Sequence, residues 1–127
     1  MNKRIYIAGK VTGRLYRTVY QEFADAKQFL LDQGFDEVVN PCEIIAPGTS
    51  WADAMVILLP YLNTCNFMAL LPGYERSMGA MCEYYFALGM ESEDRMMGII
   101  HIDIDKTVRT QDFAFPLESE ESLKEAI

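Results

Sequence analysis

Short apolar runs alternate along this chain with longer segments in which apolar residues recur at helical spacing. Strands are predicted at Arg4 to Ala8, Phe35 to Asn40, Phe67 to Leu71 and Met97 to Asp105. Helices are predicted over Tyr20 to Gln33, from Trp51 onward behind the capping residue Ser50, and over Gly79 to Met90. Because strands alternate with helices, we expect an α/β fold, a doubly wound, flavodoxin-like (Rossmann-like) three-layer sandwich whose mostly parallel sheet has four to five strands.

The remaining segments carry weaker signals. Cys42 to Thr49 is predicted to be a loop, Phe113 to Leu117 a short fifth strand, and Ser119 to Ile127 a polar helical tail. Alternation in the second half of the fourth strand suggests that it lies near an edge of the sheet. No linker or repeat divides the chain, so residues 1–127 are predicted to form a single domain in which 106–127 is the C-terminal tail.

The order of the elements also predicts where a ligand binds. If the first strand is central, with the second and third strands on either side, strand order reverses between the first and the third. Ligands of open α/β sheets bind beyond the carboxyl ends of the strands at such a point. The loops Gly9 to Gly13 and Pro72 to Gly79 would then face each other across the crevice.

Charge and composition narrow the class of partner. The chain has 127 residues, 50% of them hydrophobic, and a net charge of −8, which disfavours a nucleic-acid polymer but not a small anion in a locally positive pocket. Its three cysteines form no CxxC pair, which favours a reducing, cytoplasmic compartment. No signal-peptide-like stretch follows Met1, and no apolar run reaches the roughly 18 residues of a membrane span. A zinc site is not expected, because His101 is the only histidine.

Glu83 is the most informative polar residue. On its predicted helix it shares a stripe with Ala80, Ala87 and Met90, and such small apolar side chains suit close packing on a sheet. A carboxylate buried there without a partner costs several kcal/mol. Two interpretations stay open: a buried functional carboxylate, or a side chain at the edge of the stripe that reaches water.

Two loops carry features of an anion site. Ser77 and Gly79 lie at the start of the Glu83 helix, where free N–H groups and the helix dipole attract anions, although a plain serine N-cap explains Ser77 equally well. In the first loop, Lys10 and Arg14 could offset phosphate charge. The loop matches neither GxGxxG nor a P-loop, so a dinucleotide or ATP role is not supported. Asp53 is well placed to balance the dipole of its own helix.

Taken together, these motifs resemble a known family. The matching segments, in order, are Arg4-Ile5-Tyr6-Ile7-Ala8-Gly9, Asn40-Pro41, Trp51-Ala52-Asp53-Ala54-Met55, Leu62 to Cys65, Leu71 to Ala80, Glu83 and Ala87-Leu88-Gly89. The chain resembles the DUF4406 family, which is similar to the nucleoside 2-deoxyribosyltransferases and the 2′-deoxynucleoside 5′-phosphate N-hydrolases. The resemblance covers roughly residues 3 to 104, and its reach to the enzymes rests on the first loop and on Ser77-x-Gly79-x-x-x-Glu83.

The resemblance implies a reaction and a set of roles. Glu83 would be the nucleophile at the anomeric carbon of a nucleoside or nucleotide, Ser77 would bind its 5′-phosphate, and Asp53 would contact the base or its proton. The substrate-binding positions implied are Tyr6, Gly9, Lys10, Gly13, Arg14, Asn66, Ser77 and Gly79. No cofactor is implied. The chemistry agrees, because a desolvated carboxylate stabilises or attacks the positive sugar ring that forms as the N-glycosidic bond breaks.

The sequence departs from the family pattern at two positions. Cys65-Asn66 stands where the family usually has Cys-Asp, and Tyr74 stands where tryptophan is common. Because Asn66 cannot act as an acid, a second hypothesis is a non-catalytic domain that binds a nucleotide or sugar phosphate. A purely structural or protein-interaction domain is a third, and it requires both loops to be ordinary turns.

A homodimer or higher oligomer is also expected, partly by resemblance. Met55 to Leu62 is apolar nearly all round, and Tyr84, Tyr85 and Phe86 follow one another at about 100° steps on the next helix. These side chains cannot all face the sheet, and a second copy would bury the rest. The alternative is that neighbouring loops cover them.

Overall fold

The computed structural model describes residues 2–103 and 105–111. The strands are β1 Arg4–Ala8, β2 Glu37–Val39, β3 Phe67–Leu70, β4 Gly98–Ile102 and β5 Val108–Gln111. The helices are α1 Tyr16–Asp32, α2 Pro41–Ile44, α3 Trp51–Leu62 and α4 Met78–Ser92, with a 3-10 turn at Tyr74–Arg76. None of the helices in this described part has the length and apolar composition needed to cross a membrane.

The strands form one sheet in the order β2-β1-β3-β4-β5. β1 pairs in parallel with β2 and β3, β3 pairs in parallel with β4, and β5 is antiparallel to β4. The predicted α/β class and mostly parallel sheet are therefore confirmed. The first strand is central as expected, and strand order reverses between β1 and β3.

Alternate residues of the central strands are buried in two separate hydrophobic cores, one on each face of the sheet. Ile5 and Ile7 pack with α1, whose buried residues include Val19, Phe23 and Leu30. The intervening residues of β1, Tyr6 and Ala8, belong to the core that includes α3 and α4. This separation follows from the two-residue period of a strand, which sends successive side chains to opposite faces.

The segment after β2 differs from the prediction. Asn40-Pro41 ends the strand but also begins a helix, because Asn40 Oδ1 accepts a hydrogen bond from Cys42 N–H at 3.0 Å and Pro41 occupies the first turn. The prediction of a loop starting at Cys42 was therefore wrong as far as Ile44. α1 also begins earlier than predicted, at Tyr16, since Val19 continues its buried stripe by one turn.

The end of the described chain adds a strand that the sequence pattern does not predict. β5 turns back from β4 and pairs Ile102 with Val108 and Ile99 with Gln111. β4 is thus second from the edge, which agrees with its predicted position near an edge. The predicted strand Phe113 to Leu117 and the predicted tail Ser119 to Ile127 lie outside the described residues.

Candidate functional site

Glu83 is buried on α4, with 4% of its surface exposed. Its Oε2 accepts a hydrogen bond from the hydroxyl of Tyr6, which lies 77 residues earlier in the central strand β1. Tyr6 itself is 0% exposed. The interpretation in which Glu83 reaches water from the edge of its stripe is therefore wrong, because the helix packs this stripe directly onto the sheet.

The two carboxyl oxygens of Glu83 differ in their surroundings. Oε2 is held by Tyr6, whereas Oε1 makes no hydrogen bond to any described residue. Every fully buried side-chain oxygen or nitrogen in the described residues has a hydrogen-bond partner, so Oε1 is not completely enclosed, even though Glu83 as a whole is only 4% exposed. One oxygen is thus held by Tyr6, and the other has no protein partner among the described residues.

Burial also changes the acidity of this pair. Loss of solvent raises the pKa of Glu83 to about 8, although the hydrogen bond from Tyr6 acts in the opposite direction. The pKa of Tyr6 is raised as well, first by burial and then by the nearby charge of Glu83. The proton on the pair therefore belongs to Glu83, and an ionised Glu83 is a poorly solvated anion.

The N-terminus of α4 begins at Ser77. Its Oγ accepts a hydrogen bond from Ala80 N–H at 3.1 Å, which is the geometry of an N-cap. The hydroxyl still carries its own hydrogen, which can be donated to an anion at the helix end. The plain N-cap and the predicted anion contact are therefore compatible.

The two predicted loops begin side by side. Leu71 N–H donates to Ala8 O at 2.9 Å, and a side chain at Gly9 would meet Leu71 Cβ and Phe23 Cζ at 3.1 Å. A side chain at Gly9 would therefore require these neighbours to shift by a few tenths of an ångström. Gly13 has a φ of +79° and open space around it, so its backbone conformation is what favours glycine there.

The two basic residues of the first loop, Lys10 and Arg14, differ in whether their charge is paired with a carboxylate. Arg14 is held bidentately by Glu22, with N···O distances of 3.2 and 2.6 Å, and it also donates to Lys10 O. Lys10 is half-buried and takes part in none of the ion pairs among the described residues. Of the two, Lys10 has the uncompensated charge that an anionic ligand needs.

Gly79 faces α3 rather than open space. A side chain at Gly79 would lie 3.4 Å from Trp51 Nε1 and 3.4 Å from Met55 Cε. These are ordinary contact distances, so Gly79 lies directly against the first turns of α3. The sequence analysis, which names Gly79 as a substrate-binding position, did not anticipate this tryptophan.

The structure shows different surroundings for two further predicted site residues, Asp53 and Asn66. Asp53 is exposed in the first turn of α3, where its N–H donates to Ser50 Oγ at 3.2 Å. Asn66 precedes β3 at the amino end of the sheet. Its Oδ1 accepts from Arg4 N–H at 2.8 Å and its Nδ2 donates to Asn2 O at 2.9 Å. The side chain of Asn66 therefore hydrogen-bonds to the backbone before and at the start of β1, at the end of the sheet opposite the crevice.

Two surface clefts of about 760 Å³ lie beside the crevice. One is lined by Arg14, Arg17 and Asp103, and the other by Tyr74 and His101 with neighbouring residues. Glu83 lines neither of these two clefts. No three acidic, histidine or cysteine side chains of the described residues are arranged to hold a metal ion.

The family model of DUF4406, a domain of unknown function, matches residues 3–93. The chain belongs to the DUF4406 family. The matched range includes Tyr6, Trp51, Ser77 and Glu83 and ends before β4. No curated protein and no solved structure matches the chain.

Sequence reasoning missed the direct contact between Tyr6 and Glu83 and the position of Trp51. A signal for the first was present, because a tyrosine in a buried central strand needs a partner for its hydroxyl. A buried glutamate on a helix that follows the adjacent strand is such a partner. Nothing in the sequence places Trp51 against Gly79, since that contact depends on how α3 and α4 cross.

Proposed function

We propose that this protein is an enzyme that cleaves or transfers across the N-glycosidic bond of a nucleoside or nucleotide, with Glu83 as nucleophile. The observation that carries the proposal is a desolvated carboxyl with one oxygen held by Tyr6 and the other free. It lies on α4, the helix that starts where strand order reverses, and ligands of α/β sheets bind there. We also infer that the fold is the flavodoxin-like three-layer arrangement, because α1 and the pair α3 and α4 bury different cores.

The proposed reaction uses the ionised form of Glu83. Oε1 attacks the anomeric carbon, a C–O bond forms, and the C–N bond breaks with its electron pair leaving on the base, which takes a proton from solvent. Water then hydrolyses the glycosyl ester, or a second base displaces Glu83 in a transfer. Poor solvation makes the ionised carboxylate reactive toward a positively charged sugar ring.

The N-terminus of α4 supplies the proposed phosphate contacts. Ser77 Oγ and the free N–H groups of the first turn lie about six residues, or roughly 9 Å, before Glu83 along the helix. Lys10, on the neighbouring loop, adds an uncompensated positive charge. A 5′-phosphate at the helix end and an anomeric carbon at Glu83 fit a nucleoside monophosphate.

The direct test is release of free base. Deoxynucleosides and their 5′-monophosphates are incubated with the wild type, with Glu83→Gln and with Glu91→Gln, and the products are separated by chromatography. Glu91 is a carboxylate near the other end of the same helix, so its variant is the matched control. We expect the wild type and Glu91→Gln to release base at equal rates and Glu83→Gln to lose at least about a thousandfold. Equal release by all three proteins would exclude Glu83 as nucleophile.

A binding domain without turnover is the second candidate. A carboxyl with a pKa of about 8 is mostly protonated at pH 7, and a protonated Glu83 donates a hydrogen bond rather than attacks. The position of Asn66, by contrast, gives this candidate no support, because it lies at the other end of the sheet. Thermal melts with nucleotides decide the matter. A ligand at 100 times its dissociation constant adds about 2.7 kcal/mol of stability, and its recovery intact favours the binder.

We propose that two copies associate through the outer surface of α3 and α4. We name this surface by its exposed side chains Val56, Ile57, Tyr61, Tyr85 and Phe86, of which Val56 is 74% exposed. The only charged residue in 51–62 is Asp53 and the only one in 78–90 is the buried Glu83, whereas the whole chain has a charge of −8. Two such acidic chains repel least through this uncharged surface.

Light scattering at micromolar concentration tests the association. A mass near twice the 14.5 kDa of one chain is expected, and Val56→Glu should return it to one chain. A monomer in the wild type would refute it.

The described cysteines Cys42, Cys65 and Cys82 are free, which supports the further proposal of a reducing, cytoplasmic compartment.

A further inference from the structure

Trp51 lies at the rim of the candidate site and has no role in the function proposed above. It is the first residue of α3, and 48% of its surface is exposed. Its indole Nε1 and Cδ1 lie 3.4 and 3.7 Å from the point where a side chain of Gly79 would begin. The tryptophan is thus fixed against the first turn of α4 with much of its surface open to solvent.

The helix relates Trp51 to Glu83. Gly79 and Glu83 are four residues apart, so they lie on one side of α4, separated by about 6 Å along the axis. Trp51 contacts the first of these positions, Gly79, and the second is the carboxyl-bearing Glu83 itself. Ser77 marks the helix end beyond both.

The size of a nucleoside suits the separation between Glu83 and Trp51. Its base is bonded directly to the anomeric carbon, so a sugar placed on Glu83 puts the base within a few ångströms of that carboxyl. A flat, apolar wall is what a base requires there, since stacking on an aromatic side chain is favourable for every base. Trp51 makes no ring contact with another aromatic side chain among the described residues, so its indole is free to stack.

We propose that Trp51 is the stacking surface for the base and that it selects nucleosides and nucleotides over plain sugar phosphates. This inference rests on the proposed function for the position of the sugar, but it concerns binding alone. It assigns recognition of the base to an indole that contacts Gly79.

The chain offers a direct readout, because Trp51 is its only tryptophan. The fluorescence of Glu83→Gln, in which turnover is blocked, is titrated with 2′-deoxynucleoside 5′-monophosphates and, separately, with 2-deoxyribose 5-phosphate. We expect saturable quenching by the nucleotides and none by the sugar phosphate. Equal effects of the two ligands, or no quenching by any nucleotide, would overturn the proposal.

Substitution of the indole gives an independent measure. In the same background, calorimetry should find that Trp51→Ala weakens nucleotide binding by about 5- to 150-fold, that Trp51→Phe weakens it by only a few-fold, and that sugar phosphate binding is unchanged. Tyr20→Ala is the control, because Tyr20 is a comparably exposed aromatic residue on α1. Nucleotide binding by Trp51→Ala within twofold of its parent would refute the stacking role.

These outcomes separate the inference from the proposed function. Quenching by nucleotides together with base release that does not need Glu83 would leave Trp51 as a stacking residue and reject Glu83 as nucleophile. Base release that needs Glu83, with a KM unaffected by Trp51→Ala, would reject the inference alone.

Discussion

The two faces of the sheet bury very different side chains. On the α1 face, the buried residues from β1, β3, β4 and α1 are all apolar, with Phe23 and Leu30 at their centre. On the other face, the core of α3 and α4 contains the hydroxyl of Tyr6 and surrounds the carboxyl of Glu83. Only the second of these cores encloses a carboxyl group.

The difference separates stability from chemistry. Apolar burial on the α1 face stabilises the fold at every pH. A buried carboxyl on the other face opposes folding whenever it is ionised, and one hydrogen bond from Tyr6 offsets only part of that cost. A protein that keeps such a group beside a helix N-terminus gains something other than stability from it, which is why we place the function there.

The largest effect is expected on the α1 face. Phe23→Ala removes a fully buried ring and should lower the free energy of unfolding by about 4 kcal/mol, equally at pH 5 and pH 9. Urea unfolding at both pH values measures it. A loss that differs between the two pH values would break the distinction between the faces.

The next effect concerns the pH dependence of the wild type. Because burial raises the pKa of Glu83 from its ordinary value of 4.5 to about 8, the folded state binds more protons than the unfolded state between these two pH values. This stability is therefore fully present below pH 4.5 and is lost as the pH rises from there through 8, by an amount on the order of 4 kcal/mol between pH 5 and pH 9. Urea unfolding of Glu83→Gln should lack this loss. An equal loss in the variant would show that Glu83 is not its source.

The substitution Tyr6→Phe tests the face of the sheet that buries Glu83 more directly. Without the hydroxyl, the ionised form of Glu83 loses its hydrogen bond, so the pKa of Glu83 should rise further. We expect a cost of about 1 to 3 kcal/mol at pH 9, a smaller one at pH 5, and a pH profile of base release shifted toward alkaline pH. The control is Tyr20→Phe on α1, which should change neither quantity. An unshifted profile would mean that Tyr6 does not set the acidity of Glu83.

The smallest effect compares two serine caps. Ser50 and Ser77 each accept a hydrogen bond from the N–H three residues later, at 3.2 and 3.1 Å. Replacing either by alanine should cost about 1 kcal/mol in thermal unfolding. Only Ser77→Ala should also weaken binding of a nucleoside 5′-monophosphate relative to the nucleoside. Equal binding by both variants would remove Ser77 from the phosphate site.

Much of the fold could be predicted from short-range patterns. The apolar run at Phe67 to Leu71 predicts a central strand, and Ser50 before Trp51 predicts the start of α3, as the structure confirms. The loop predicted from Cys42 was wrong at its start, because Asn40-Pro41 was interpreted only as a strand end although it also caps a helix. For the candidate site, the stripe on α4 singled out Glu83 but left open whether it is buried, and the structure shows that it is.

The sequence by itself determined the first four strands, the three long helices and their order, and therefore the crevice between β1 and β3, because periodicity and crossover handedness are local or nearly local properties. Only the tertiary structure decided which side chains meet there. It brought Glu83 into contact with Tyr6, 77 residues away in the chain, and Trp51 into contact with Gly79. It also placed Asn66 at the amino ends of the strands, opposite the crevice. Such contacts depend on strand register and on how two helices cross, and these arise from packing of the whole chain rather than from the residues of any one segment.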